Sequence, residues 1–117
     1  MTLFLDTDRA KETGWEGYDF AINRLAGKGN RVSVERYLPT AEAGSFTWES
    51  IGTAACRIDG DTLTIAIPRA LVGLEKRLNF EFKWSDNMQK PTVMDFYENG
   101  DSAPIGRFNY LYRVKRF

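Results

Sequence analysis

A chain of 117 residues has room for one domain with a modest core and is too short for two. Its 43% hydrophobic and 14% aromatic content excludes a disordered tail, because such tails lack the apolar surface that offsets chain entropy. Sixteen basic and sixteen acidic residues cancel and are mixed along the sequence, which leaves no field of one sign to attract nucleic acid or an anionic membrane.

The run "LFL" at residues 3–5 opens the pattern of a strand two residues after Met1. So abrupt a start suggests a piece of a longer polypeptide, with any export signal upstream. No apolar run approaches the roughly 18 residues of a membrane helix. After an acidic connection, "YDFAINR" alternates Tyr18, Phe20 and Ile22 against Asp19, Ala21 and Asn23, the period of a half-buried strand. "RVSVERYL" follows with Val32 and Val34 on one face, and the "GKGN" of residues 27–30 makes the two a hairpin. Residues 46–58 lead into "DGD" and then "TLTIAIP", a second hairpin marked by Asp-Gly. Cys56, the only cysteine, reads as a small buried hydrophobe.

"RALVG" after Pro68 is too short for an independent helix and suggests one turn at a corner. "LNFEFKW" sets Leu78, Phe80, Phe82 and Trp84 against Asn79, Glu81 and Lys83, and the charged face is expected to meet water. "PTVMDFYENG" fits a short helix over 92–99, with Thr92 as cap and Gly100 as terminator. "RFNYLYRVKRF" ends the chain as an aromatic strand carrying Phe108, Tyr110, Tyr112 and Val114 on one face. The sum is an all-β domain spanning 1–117, an antiparallel β-sandwich of immunoglobulin-like or jelly-roll-like type with one short helix.

Without histidine, Ser-His and Cys-His nucleophiles and His-based zinc sites are excluded. No glycine pattern joins a strand to a long helix, so phosphate cradles are excluded too. A glycosidase-like carboxylate pair would remain, but the acids show no distinctive spacing, and the chain is read as a non-enzyme.

Two binding chemistries remain. Asp6 and Asp8 stand two apart at a strand end, Glu16 and Asp19 sit where the chain returns, and Gly14 and Gly17 permit a sharp path between them. Four acidic donors on one loop would repel unless a cation intervened, and oxygen ligands of irregular geometry suit calcium. The alternative is a solvated loop neutralised by Arg9 and Lys11. Sugars, in turn, stack their C–H faces on aromatic rings while polar side chains bond the hydroxyls. Trp15, Trp48, Trp84, Tyr97 and Tyr110 are the aromatic candidates, of which Trp84 continues an apolar stripe and reads as core. Asp86 and Asn87 could bond hydroxyls or make an Asx turn.

Taken in order, "LFLDTD", "GWEGYDFAINR", "DGDTLTIAIPRALVG", "FEFKWSDN" and "DFYENGDSAPIGRFNY" resemble the later strands of family 9 carbohydrate-binding modules and their DOMON-like relatives, over about residues 3–112. The resemblance implies a β-sandwich, a place beside polysaccharide-degrading enzymes or at the end of large surface proteins, an extracellular or cell-surface location, and bound calcium. It implies a carbohydrate partner and neighbouring domains of the same polypeptide; a purely structural or protein-interaction domain is the alternative. Family domains open with further strands, so self-association is expected to cover the exposed edge.

Overall fold

The computed structural model describes residues 1–25, 28–86, 100–104 and 108–114. Eight strands form one antiparallel sheet curled into a half-barrel. They are β1 (Thr2–Asp6), β2 (Phe20–Ile22), β3 (Arg31–Pro39), β4 (Phe46–Asp59), β5 (Thr62–Ala66), β6 (Asn79–Asp86), β7 (Asp101–Ala103) and β8 (Tyr110–Arg113). Their order is β5-β4-β3-β2-β1-β6-β7, with β8 also pairing β6. Arg69–Val72 makes the single 3-10 turn expected of "RALV" and stops at Gly73, whose φ of 70° lies in the left-handed region. No helix among the described residues is long and apolar enough to cross a membrane.

Both hairpins read from the sequence form. Ile22 lies opposite Val34, and Asp59 opposite Thr62 around Gly60 at φ 62°. The expected helix over 92–99 lies outside the described residues.

Strand alternation gives the sheet two unlike faces. One carries Leu3, Leu5, Ile22, Val32, Val34 and Ala54, all buried, closed by Val72 and Leu74 and flanked by Phe80, Phe82 and Trp84. This is the main hydrophobic core, and each fully buried Leu, Ile or Val contributes about 1.5–3 kcal/mol relative to exposure. The other face buries Phe4 and Ala21 beside Asp6, Glu35, Lys83 and Ser85.

That second face corrects two expectations. The charged side of β6 is largely covered, with Glu81 and Asn79 only partly exposed. Lys83 is fully buried and lies opposite Phe4, and its Nζ donates a 2.7 Å bond to the Pro104 carbonyl. The connection after β1 folds back over this side of the sheet, and Arg9 and Lys11 from it bond Glu81. Tyr18 also leaves the face of Phe20 and Ile22, because it pairs with Trp15 in a tight turn and packs on Phe4. An alternation rule applies only while the chain stays extended, and β2 begins at Phe20.

Candidate functional site

The site grows from the turn that carries Trp15. Trp15 and Tyr18 exchange two 2.8 Å backbone bonds around Glu16 and Gly17, at φ 53° and 93°. Two successive left-handed residues give the tight turn that antiparallel chains favour. Gly14 leads into it at φ 75°, where a Cβ would stand 2.0 Å from the Tyr18 carbonyl oxygen. Only glycine fits there. A 2.7 Å bond from the Asp19 N–H to the Leu5 carbonyl then returns the chain to the sheet.

Trp15 thereby reaches a cluster of rings on the second face. Its centroid is 5.3 Å from Phe4 and 6.4 Å from Trp48, which it meets edge-on at 72°. Trp48 meets Tyr37 at 6.2 Å and Phe46 at 6.0 Å, and Tyr37 stacks on Phe46 at 5.1 Å. Phe4 and Tyr18 are buried, whereas Trp15, Tyr37, Phe46 and Trp48 are half-buried and keep part of their surface in water. A half-exposed corner of two indoles offers C–H stacking on one ring and an edge contact on the other.

The carboxylates stand at the base of the same connection. Asp6, Asp8 and Asp19 each place one oxygen within 4.8 Å of the others. Glu16 does not join them and instead turns the chain between Trp15 and Tyr18. Asp8 accepts bonds from the Ala10 N–H at 3.0 Å and the Thr13 hydroxyl at 2.7 Å, and Asp19 accepts the Thr7 N–H at 3.0 Å. Asp6 is fully buried; its Oδ1 accepts the Ala10 N–H at 3.2 Å. Its Oδ2 has no hydrogen-bond partner, and the nearest cation is the Lys11 ammonium at 3.7 Å.

Burial, with the Asp8 carboxyl and the Asp19 charge, pushes Asp6 up to about 7, against Lys11 and the Ala10 N–H. Burial also raises Asp19, and the neighbouring Asp8 charge adds to the shift. For Asp8 burial acts upward but is outweighed by its bonds with Thr13 and Ala10, so its carboxyl sits below the ordinary value. Glu81 is lowered in the same way, with Lys11, Asn109 and Arg9 outweighing burial. Lys83 is lowered to about 8 by burial and by the Lys11 charge. Burial, together with the Asp6 and Glu81 charges, raises the Tyr18 phenol.

The donors are hard oxygens in irregular array, one of them buried and without a hydrogen bond, and this chemistry fits calcium better than a softer metal. Lys11 competes for the same charge, since it spans Asp6 and Glu81.

The other sugar-site expectations divide. Trp15 and Trp48 come together. Asp86 lies at the end of β6 on the alternation face of Trp84, 3.3 Å from the Met1 amino group, away from the two indoles. Trp84 packs against the main core, and Tyr110 sits on the same apolar face against Phe82 at 5.4 Å. Asn87 and Tyr97 lie outside the described residues. Sequence reasoning missed Glu81 and Asn109, which join the loop through Tyr18 Oη at 2.7 Å and Glu81 Oε1 at 3.3 Å. The only signal was the register that sets Asp6 opposite Glu81, and that register is invisible before the strands are paired.

No protein-family model matches the chain, and neither a curated protein nor a solved structure matches it.

Proposed function

We propose that the chain is a non-catalytic carbohydrate-binding domain of a larger, polysaccharide-related protein at the cell surface or beyond it. The observation that carries this reading is the meeting of Trp15 and Trp48, from distant parts of the sequence, in one half-exposed corner 6.4 Å apart. Partly exposed indoles meeting at an angle offer the C–H stacking contact that a pyranose needs. The same reading makes the domain a β-sandwich of the family 9 binding-module or DOMON-like kind, and the antiparallel pairing of all eight strands supports it. Asp6, Asp8 and Asp19 hold a structural calcium ion at the foot of the Trp15 connection, where it draws β1 and the start of β2 together.

The rival reading is a structural domain that packs against its neighbours without a sugar. It is favoured by the ring-on-ring packing that already occupies part of each indole. A glycan array probed with the intact chain separates the two. Binding to at least one plant or bacterial polysaccharide supports the first, and silence across the array supports the second.

A further inference from the structure

We propose that two copies of this chain join edge to edge through β8, about a two-fold axis beside Tyr112. This rests on the sheet alone and is independent of any sugar.

β8 is an outermost strand, paired on one side with β6 and on the other with nothing among the described residues. All four of its residues are exposed, with Tyr110 at 47%, Leu111 at 49% and Tyr112 at 49%. Phe108, just before it, is 78% exposed. Edges in monomers are normally guarded by charge, a bulge or a covering segment, and here Arg113 is the one charge on the strand.

The phase of the ladder tells which backbone groups are open. The Val114 N–H donates a 2.9 Å bond to the Leu78 carbonyl, and in an antiparallel ladder such bonded pairs recur at every second residue. The amides of Tyr110 and Tyr112 therefore turn toward β6. Those of Leu111 and Arg113 turn outward.

Two partner edges can be compared. At the far end of the sheet, the two-residue turn of Gly60 and Asp61 makes Asp59 and Thr62 a bonded pair, so the open amides of β5 belong to Leu63 and Ile65. An antiparallel union of β5 with β8 would set those residues opposite Arg113 and Leu111. It would join the apolar face that carries Ile65 to the polar face that carries Arg113, and the hydrophobic surface would be broken. Pairing β8 with its own copy has no such conflict. Leu111 comes opposite the partner's Arg113, and Tyr112 meets the partner's Tyr112. The aromatic row continues from Phe80 and Tyr112, already 5.5 Å apart, into the same row of the second copy.

Charge rules out one competing register. A shift that set Arg113 opposite the partner's Arg113 would place like charges in direct contact. In the register about Tyr112, each Arg113 enters the cross-strand row of the partner's Leu111 and Glu81, about 10 Å from that carboxylate at the backbone and within reach of two long side chains. The contact is self-complementary, as a two-fold requires.

Sedimentation of the full chain at micromolar concentration is expected to give a dimer. Leu111→Pro removes an outward N–H without touching the β6 ladder and should give a folded monomer. In a Cys56→Ser background, Tyr112→Cys should oxidise to a covalent dimer, because facing residues of a non-bonded antiparallel pair have Cα atoms about 4.5 Å apart. Tyr110→Cys, opposite the partner's Val114, should not. If Leu111→Pro does not fold, the two cysteine variants decide. A monomer throughout the micromolar range, or failure of Tyr112→Cys to cross-link, overturns the proposal and leaves the edge to a strand from another protein.

Discussion

Arg24 grips Glu35 with two parallel 2.8 Å bonds, Nε to Oε1 and Nη2 to Oε2, and Glu35 is only 1% exposed. A planar fork meeting a carboxylate is among the stronger charge pairs. Arg24→Ala would leave the buried acid without that partner, at an expected cost of about 1–3 kcal/mol. Adding Glu35→Leu should recover part of it, because an apolar side chain needs no counter-charge. Urea denaturation of the single and double variants measures both steps, and equal stabilities of wild type and Arg24→Ala would refute the assignment.

Asp6 gives the fold a pH dependence of definite sign. Its folded value of about 7 exceeds the ordinary 3.8, so between those limits the folded chain keeps a proton that the unfolded chain has lost. Stability contributed by this group is full below about pH 4 and is lost as pH rises through 7. Asp19, also raised, acts in the same direction; Asp8 and Glu81, both lowered, have completed their opposite contribution at or below the ordinary carboxylate range. With EDTA present, the melting temperature should therefore fall between about pH 5 and pH 7.5, and Asp6→Asn should flatten that slope. A wild-type melt that rises over the interval would contradict the burial of an acid at this site.

Calcium should reverse that loss. Binding to the folded state alone raises stability by mass action, by about 2.7 kcal/mol at a hundredfold excess over the dissociation constant. Magnesium should do less, since it demands shorter bonds and a near-ideal octahedron. Asp8→Asn should shrink the shift, and Lys11→Met should enlarge it by removing the ammonium 3.7 Å from Asp6. Superimposable melts in EDTA and in millimolar calcium would reduce the cluster to a loop neutralised by Arg9 and Lys11.

The strands and hairpins were legible because each depends on local chemistry. Asp-Gly at 59–60 forces a turn whatever surrounds it, and the alternation of Phe80, Phe82 and Trp84 needs one apolar side. The burial of Lys83 was not legible, since it depends on a segment folding back over β6 from far away in sequence. Tyr18 was misplaced for a related reason, because its neighbours Glu16 and Gly17 adopt left-handed backbone and end the alternation. The convergence of Asp6, Asp8 and Asp19 could be seen in their spacing, whereas Glu16 was drawn in by proximity along the chain and serves the turn instead. β7, only three residues long, left no pattern to read.

Under the proposed function the Trp15 and Trp48 corner binds a sugar. Affinity-gel electrophoresis in polysaccharide found positive on the array measures it most directly, run beside melts that show each variant folded. Trp48→Ala and Trp15→Ala should each restore free mobility, while Trp84→Phe, on the opposite face of the sheet, should stay retarded like wild type. Retardation that survives both indole truncations, or disappears with Trp84→Phe, would contradict the account.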